Sequence, residues 1–417
     1  MNTGARTASV KNTRYTINRR VYPLKISRRA ESIAPFYALE FGKRAAALEL
    51  LGHDVIRLSI GEPDFGAPPA VLKALRSVAN GRPLPYTPSM GLPALRSAIA
   101  LFYKNQHDVD VDPGRVMITA GASGALVLAM AALVNDGDQV LIGDPSYPCN
   151  RQIAESFGAE VTLVPTSAAN QFQLTAQSVQ ANWSARTGGL MIASPSNPTG
   201  TTIPTGELKQ ILEFVRLQGA WCVVDEIYLN LGDHDNHDRA AGSVLSIDSD
   251  AIVINSFSKY FGMTGWRLGW VVLPQWLVPA MERLAQNYFL CASTPAQQAA
   301  LACFTEESVA VCEDRRREFL VRRQIVVDGL RRIGLPSAAE PTGAFYVYFD
   351  VSHTGLSSWE FCERALNEVF VALTPGTDFG IHTAATHVRL SYAASAQDLH
   401  AAIDRLHDFL DGLHLDR

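Results

Sequence analysis

One lysine in the second half of the chain has the surroundings of a reactive amine. Lys259 follows the apolar run 251–254 and has aromatic residues close to it on both sides. At the end of a buried strand an amine loses hydration, which favours its neutral, nucleophilic form. Eight residues on, Arg267 provides a permanent cation whose planar fork suits a phosphate, and Ser256 and Ser258 lie within reach of the same anion. The segment predicts a Schiff-base lysine beside a phosphate site, although a lysine on a solvated loop is the commoner case.

A carboxylate complements this amine. Asp225 ends the apolar run Trp221–Val224 and is followed three residues later by Tyr228. A buried carboxylate must be paired, because an unpaired buried charge is costly. The ring nitrogen of pyridoxal phosphate (PLP) would be such a partner, and holding it protonated makes the ring an electron sink for a carbanion at the substrate Cα. Tyr228 could offer its hydroxyl to the 3-oxygen of that ring. The alternative for Asp225 is a helix N-cap.

Three loops at predicted strand ends add further polar and aromatic groups. The prolines and glycine of Ser194–Gly200 mark a tight loop, in which Asn197 can hydrogen-bond a cofactor oxygen and the peptide bond after Asn197 is a candidate for the cis form. Ala122 and Ser123 open a helix whose backbone N–H groups can approach an anion. Tyr147 could stack on a cofactor ring. An ordinary turn, close helix packing and a half-buried tyrosine are the respective alternatives.

A second arginine is a candidate for substrate binding. Arg389 lies in Val388–Tyr392, where strand alternation puts it on the face opposite Val388. Its guanidinium could hold a substrate carboxylate through two parallel hydrogen bonds, whereas an exposed arginine is the commoner case. The turn at Gly61 and the loop that begins at Tyr86 carry no distinctive signal by themselves.

Short apolar runs that alternate with helical patterns position these residues. Such alternation predicts an α/β fold with a mostly parallel sheet flanked by helices, in which ligands bind at the carboxyl ends of the strands. After about residue 300 a long charged helix, two strands and a closing helix predict a smaller α+β domain. The apolar runs are at 55–58, 116–119, 139–142, 160–164, 189–192, 221–224 and 251–254.

These patterns divide the chain into four parts. Residues 1–25 are predicted to be a basic, disordered tail, and residues 26–52 an N-terminal segment, whose packing on the small domain is expected by analogy with similar proteins and not from these patterns. Residues 53–300 are predicted to form the large PLP-binding domain, and residues 301–417 the small C-terminal domain. Residues 1–30 carry eight basic side chains and no acidic one, a composition that also overlaps with an organellar transit peptide.

Composition excludes several classes of protein. A chain of 417 residues is long enough for more than one domain. Its net charge of −5 provides no electrostatic footprint for nucleic acid, and no apolar stretch is long enough to span a bilayer. Six scattered cysteines without a CxxC pair predict reduced thiols in the cytoplasm. The segment His234–His237 has a spacing that a metal could use, but its polar setting favours a solvated loop, and no metal is expected.

In combination, four motifs resemble the class I and II aminotransferases, which are fold-type I PLP enzymes. The resemblance extends from about residue 26 to the C-terminus. The motifs occur in the family's order and at the family's spacings. They are Asn197–Gly200, Asp225–Tyr228, Ser256–Lys259 and Gly265–Gly269.

The resemblance implies a role for each candidate residue. Lys259 would form the Schiff base with PLP, Asp225 would pair with the ring nitrogen, and Tyr228 with Asn197 would bind the 3-oxygen. Arg389 would bind the substrate α-carboxylate beside Gly61. The PLP ring would stack on Tyr147, and its phosphate would be held by Ala122, Ser123, Ser256 and Arg267. Tyr86 would reach the PLP phosphate in the neighbouring subunit, which implies a homodimer with shared active sites.

The implied reaction moves an amino group between an L-amino acid and a 2-oxo acid by a ping-pong mechanism. No residue matches the second arginine with which aspartate-specific members bind a distal carboxylate, and Asn287–Pro295 is aromatic and small instead. Neutral or aromatic amino donors are therefore favoured. The alternatives are a PLP-dependent lyase, of the carbon–sulfur β-lyase or aminocyclopropane-carboxylate-synthase kind, and a PLP-binding regulatory module, for which the chain has too few residues before the resemblance to hold a winged helix.

Overall fold

The computed structural model of the protein describes residues 25–234 and 242–415. Of these, the residues from 35 onward belong to one compact unit, and residues 25–34 belong to another. The α-helices are Arg28–Ser32 (α1), Tyr37–Leu50 (α2), Pro69–Val78 (α3), Pro93–His107 (α4), Gly121–Leu133 (α5), Pro148–Ser156 (α6), Ala176–Asn182 (α7), Thr205–Leu217 (α8), Val278–Tyr288 (α9), Thr294–Ala300 (α10), Glu306–Arg332 (α11), Ser358–Glu368 (α12) and Ala396–Leu415 (α13). The β-strands are Ile56–Arg57 (β1), Val116–Thr119 (β2), Gln139–Asp144 (β3), Glu160–Pro165 (β4), Thr187–Ala193 (β5), Trp221–Asp225 (β6), Ile252–Ser256 (β7), Gly269–Val272 (β8), Tyr346–Asp350 (β9), Val371–Ala372 (β10), Thr374–Pro375 (β11) and His387–Ser391 (β12).

A seven-stranded sheet forms the centre of the larger unit, and the predicted α/β fold is confirmed. Its strand order is β2-β8-β7-β6-β5-β3-β4, and only β8 runs antiparallel to its neighbours. Neighbouring residues of one strand pack into different cores: Val223 lies in a cluster with Met130 of α5, whereas Val224 lies in a cluster with Ile211 of α8. Helices therefore cover both faces of the sheet, which explains the uninterrupted apolar runs of its strands.

Two strands differ from the pattern expected from the sequence. The run 55–58 does not join the large sheet, because β1 pairs in parallel with β10 in a separate two-stranded sheet. Strand β8 was not predicted, because its first residues were assigned to the phosphate motif. A side chain at Gly269 would lie 2.7 Å from the backbone of Gly121 and 2.8 Å from that of Ala122. Glycine thus lets β8 pass directly beneath the beginning of α5.

A second, three-stranded antiparallel sheet has the order β11-β12-β9. The long helix α11 packs against α13 and β9, and α2 packs against β10 and β11. Helix α11 begins at an N-cap, Thr305, whose side chain accepts the N–H of Ser308, and ends with Arg331 and Arg332 near its carbonyl end. The division of the chain at residue 300 stays a prediction.

Some predictions concern residues that the structure does not describe. The predicted tail 1–25 lies almost entirely outside the described residues, as do residues 235–237 of the histidine segment. Across 25–234 and 242–415, no cluster of three or more histidine, cysteine or acidic residues is arranged to hold a metal. None of the helices in these ranges combines the length and the apolar character that crossing a membrane requires.

Candidate active site

A cavity of about 200 Å³ opens at the carboxyl ends of the central strands. It lies where an open α/β sheet is expected to bind its ligand. It brings together eleven of the twelve residues to which the family resemblance gives a role. Those that line it are Gly61, Ala122, Ser123, Tyr147, Asn197, Asp225, Tyr228, Ser256, Lys259, Arg267 and Arg389.

The amine of Lys259 lies in this cavity, three residues after the end of β7. Its Nζ donates to the carbonyl of Gly61 at 2.6 Å and lies 5.7 Å from the centre of the Tyr228 ring. Burial lowers the pKa of Lys259 to about 8, although the nearby carboxylate of Glu62 acts in the opposite direction. Near neutral pH the neutral, nucleophilic fraction of this amine is therefore much larger than that of an ordinary lysine, although the protonated form still predominates.

Asp225 is the last residue of β6, and only 6% of it is exposed. Burial raises the pKa of this carboxyl to about 6, while the N–H of Ile227, which Oδ1 accepts at 3.0 Å, and the charge of Lys259 lower it. The bond from Ile227 resembles the N-cap alternative, but it occupies only Oδ1, and Asp225 also lines the cavity. A cation bound in the cavity would compensate the buried charge.

Two tyrosines meet at one wall of the cavity. The hydroxyls of Tyr228 and Tyr346 are hydrogen-bonded at 2.7 Å, and both side chains are buried. Burial holds the pKa of Tyr228 well above its ordinary value and also raises the pKa of Tyr346. Both phenols therefore remain protonated, and in their mutual bond one hydroxyl donates while the other accepts and keeps its own proton for a further acceptor. A side chain at Gly61 would lie 2.0 Å from the Tyr346 hydroxyl, so only glycine leaves room for this tyrosine.

The beginning of α5 forms a cup for an anion. Gly121, with φ of 73°, turns the chain into the helix, and a side chain there would lie 2.7 Å from Nη2 of Arg267. Arg267 itself has φ of 53°, and its Nη1 donates to the carbonyl of Thr264 at 3.0 Å. The Ser256 hydroxyl donates to Ser258 at 2.9 Å. The helix N-terminus, the guanidinium and the hydroxyls together suit a phosphate.

Arg389 is 1% exposed, so the alternative of an exposed arginine is wrong. Nη1 donates to Oδ1 of Asn197 at 2.8 Å, and Nη2 donates to the carbonyl of Ser59 and to the Thr374 hydroxyl. The peptide bond that follows Asn197 is cis. The arginine and the asparagine, although 192 residues apart in sequence, therefore present one continuous polar surface to the cavity.

Two aromatic rings hold the guanidinium of Arg389 in place. Its Cζ lies 4.6 Å from the centre of the Tyr346 ring and 4.8 Å from that of Phe379. Its Nε has no hydrogen-bond partner among the residues that the structure describes, and no carboxylate in those ranges pairs with it. A buried guanidinium in this state is suited to a carboxylate that arrives with a ligand.

Sequence reasoning missed part of the cavity. Tyr86, predicted to reach the phosphate of the neighbouring subunit, does not line this chain's cavity and is 78% exposed, and its role stays a prediction. Phe36 and Leu39, at the start of α2, contribute an apolar wall, and the Phe36 ring meets that of Tyr147 edge-on at 6.0 Å. No local signal marked these two residues, because the strand-end rule does not extend to a helix far away in sequence. Glu62, interpreted as part of a turn, also lines the cavity.

The fold and the cavity together define a PLP-dependent enzyme of fold type I. Residues 53–406 match the family described as aminotransferase class I and II. A valine–pyruvate aminotransferase of Mycobacterium tuberculosis is 37% identical over 378 residues, which cover 91% of this chain and 97% of that protein. An aspartate aminotransferase of Pyrococcus abyssi is 34% identical over 86% of this chain and 92% of its own length. The crystal structure of an aminotransferase from Mycobacterium tuberculosis has a TM-score of 0.89 at 36% identity, with 93% of this chain and 99% of that one covered.

The chain belongs to the class I and II aminotransferase family. The resemblance given by the four sequence motifs is thereby confirmed. Members of this family use PLP and act on amino acids and 2-oxo acids, and the chain is an aminotransferase with PLP as its cofactor.

Proposed function

We propose that the enzyme moves an amino group between a neutral or aromatic L-amino acid and a 2-oxo acid. The observation that supports this most strongly is the convergence of Lys259, Asp225 and Arg389 on one cavity together with the anion cup. When bound, PLP supplies an aldehyde that condenses with amino groups and a ring that accepts the electron pair left at the substrate Cα.

The described residues fit this cofactor. The start of α5 would hold its phosphate through Ala122 and Ser123, with Ser256 and Arg267 on the other side. Tyr147 would stack on the ring, and Asn197 with Tyr228 would hydrogen-bond its 3-oxygen. Asp225 would lie against the ring nitrogen, where a protonated nitrogen compensates the carboxylate that burial otherwise penalises.

The remaining chemistry belongs to the protein. Lys259 Nζ takes a proton from the substrate Cα as a general base and later returns it as a general acid, and its lowered pKa suits both roles near neutral pH. Arg389 orients the substrate by its α-carboxylate, beside the backbone of Gly61. Tyr346 keeps the hydroxyl of Tyr228 in place through their mutual hydrogen bond.

Charge and wall composition support the preference for neutral or aromatic donors. Three cations line the cavity within the described residues, namely Lys259, Arg267 and Arg389, and each already has a role. None is left for a distal carboxylate of an acidic substrate. Phe36 and Leu39 add apolar surface, and one of the relatives is named for valine and pyruvate, although another is named for aspartate.

We also propose a cytoplasmic homodimer with shared active sites. Exposed apolar side chains occur in two segments, at 84–86 and at 288–290. Hydrogen bonds connect the chain beside these segments: the Thr294 hydroxyl donates to the carbonyl of Pro85 at 2.9 Å, and Gln297 donates to the Thr87 hydroxyl at 3.0 Å. Such a patch is typical of a subunit interface. Free cysteines throughout the chain are consistent with the cytoplasm. The exposed side chains of this patch are Leu84, Tyr86, Tyr288, Phe289 and Leu290.

An assay with several amino donors and two acceptors, 2-oxoglutarate and pyruvate, tests the proposal. We expect turnover with neutral or aromatic donors, parallel double-reciprocal plots as in a ping-pong mechanism, and little turnover with aspartate. Release of pyruvate and ammonia from an amino acid without any acceptor would indicate a lyase instead and would contradict the proposal. Light scattering of the purified protein tests the dimer separately.

Arg389→Lys is expected to raise KM for the amino donor and lower kcat/KM roughly 10- to 100-fold, because lysine keeps the charge but loses the two-pronged hydrogen bonding. The measurement is steady-state kinetics on the PLP-loaded enzyme. Arg331→Lys is the matched control, since Arg331 is exposed and its side chain forms an ion pair with the exposed Asp328. An unchanged KM in the Arg389 variant would rule out its proposed contact with the carboxylate.

The pKa of Lys259 can be measured in the protein without PLP. Since only the neutral amine reacts with an acylating reagent, we expect the labelling rate of Lys259 to rise with pH and to level off above its lowered pKa of about 8. The internal control is Lys104, which donates hydrogen bonds to the carboxylates of Asp108 and Asp110, and these bonds hold its pKa above the ordinary value. Mass spectrometry of labelled peptides reports both residues, and identical pH profiles would contradict the lowered pKa.

A further inference from the structure

A buried carboxylate outside the cavity holds a loop of the second sheet. Asp144, the last residue of β3, has no exposed surface. Its Oδ2 accepts the backbone N–H of Ile381 at 3.0 Å, the N–H of His382 at 3.1 Å and faces Nδ1 of the His382 ring at 2.6 Å. All three donors belong to residues 376–382, called here the anchored loop. A strand end of the large sheet is thus attached to a loop more than 230 residues later in sequence.

The attachment leaves no space for rearrangement. A side chain at Gly380 would lie 1.7 Å from Oδ1 of Asp144, so the loop backbone passes directly over the carboxylate. The Ser146 N–H donates to the carbonyl of Phe379 at 2.8 Å and adds a second connection close to the first. Hydrogen bonds to a buried charged group are among the stronger ones in proteins.

The anchored loop also contacts two parts of the active site. The Phe379 ring packs on the guanidinium of Arg389 at 4.8 Å. The carboxylate of Asp378 accepts the N–H groups of Tyr37 at 2.9 Å and Ala38 at 3.0 Å, and so fixes the beginning of α2. The beginning of α2 supplies the apolar wall of the cavity. The position of the anchored loop therefore determines the positions of both Arg389 and the apolar wall formed by the start of α2.

We propose that Asp144 is a positioning residue for substrate binding. Through the anchored loop it fixes Phe379 against Arg389 and, through Asp378, the start of α2. The inference rests on the proposed function of Arg389 as the residue that binds the substrate carboxylate. Asp144 itself touches neither the cofactor cup nor Lys259, so its effect falls on the affinity for the amino donor rather than on the proton transfer.

Three variants test this role. Asp144→Asn replaces an acceptor of three donors with a group that can only partly accept them, and His382→Ala removes only the ring donor. In His382→Asn the side-chain amide can donate in place of Nδ1. The matched control is Asp328→Asn, because Asp328 lies in an exposed pair on α11. The alanine and asparagine pair at position 382 keeps the test possible should Asp144→Asn not fold.

Two measurements on the PLP-loaded enzyme separate positioning from general stability. In Asp144→Asn we expect KM for the amino donor to rise roughly 10- to 100-fold with a much smaller change in kcat. His382→Ala should raise KM by roughly 5-fold, and His382→Asn should restore it. In hydrogen–deuterium exchange without substrate, peptides covering 36–41 and 376–384 should exchange faster in Asp144→Asn and His382→Ala, and peptides of β6 should not.

A fall in kcat as large as the rise in KM, or faster exchange spread over the whole protein, would reduce Asp144 to a stabilising residue and overturn the proposal. Unchanged exchange in the anchored loop would overturn it whatever the kinetics show. The exchange experiment needs no turnover. A wild-type protein that transfers no amino group would therefore count against the proposed function, while the exchange rates would still decide whether Asp144 and His382 hold the loop.

Discussion

Lys259→Ala is expected to lower kcat by about 10⁴-fold or more, because the variant loses both the covalent attachment of PLP and the general base. The amine lies in the cavity with its pKa lowered to about 8, and the described part of the cavity wall contains no second lysine. The measurement is single-turnover conversion of an amino donor by enzyme loaded with PLP. No other side chain of the wall can replace a neutral amine at this position.

Lys259→Arg is the matched control for that variant. Arginine keeps the positive charge and most of the volume but stays protonated at every accessible pH, so it can neither attack an aldehyde nor act as a base. We expect it to be as inactive as the alanine variant, while PLP still binds non-covalently through the anion cup. Activity of Lys259→Ala within a factor of about ten of the wild type would show that another group is the base.

Asp225→Asn is expected to lower kcat by about 10²- to 10³-fold, an effect typical of losing one preorganised electrostatic partner in an active site. Asparagine can still accept the N–H of Ile227 but cannot balance a protonated ring nitrogen. Steady-state kinetics with saturating PLP gives the measurement. Asp328→Asn on the exposed face of α11 should leave kcat unchanged.

Without PLP, Asp225→Asn should be more stable than the wild-type protein. The pKa of Asp225 is raised to about 6, so in the acidic range the unfolded chain ionises before the folded one. The free energy of unfolding therefore decreases as the pH rises from about 4 to about 6 and stays reduced above that range. Removing the carboxyl should increase this free energy by on the order of 2 kcal/mol at neutral pH. Urea titrations of both proteins at about pH 4 and at neutral pH measure this free energy. Equal stability of the variant and the wild type at neutral pH would contradict the cost of burying the Asp225 carboxylate.

The sequence was sufficient to place most of the cavity, because the carboxyl ends of parallel strands meet at one edge of a sheet. Asp225 ends β6 and Lys259 follows β7, and because these two parallel strands are neighbours in the sheet, their carboxyl ends bring the two residues together. Tyr147 and Asn197 follow β3 and β5 in the same way. These residues could be placed from the sequence because each one lies within a few positions of the carboxyl end of a strand.

The parts that were missed depend on packing between distant segments. Tyr346 belongs to a strand that was predicted, but its contact with Tyr228 requires the second sheet to lie beside the first, which no local pattern encodes. Leu39 lines the cavity from the start of α2, where Asp378 accepts the N–H groups of Tyr37 and Ala38. Nothing in the sequence around Asp144 indicates its proposed role, since its partners lie more than 230 residues away. Arg389 was assigned through the family resemblance, whereas its burial follows from that same packing.

The attachment site of PLP is the most direct test of the active-site assignment. The purified protein is incubated with PLP, reduced with borohydride so that any bond between the cofactor and an amine becomes permanent, and digested for mass spectrometry. We expect the phosphopyridoxyl group on the peptide that contains Lys259, and none in Lys259→Ala. A protein that takes up no cofactor, or one that carries it on a different lysine, would contradict the assignment of this cavity as the active site.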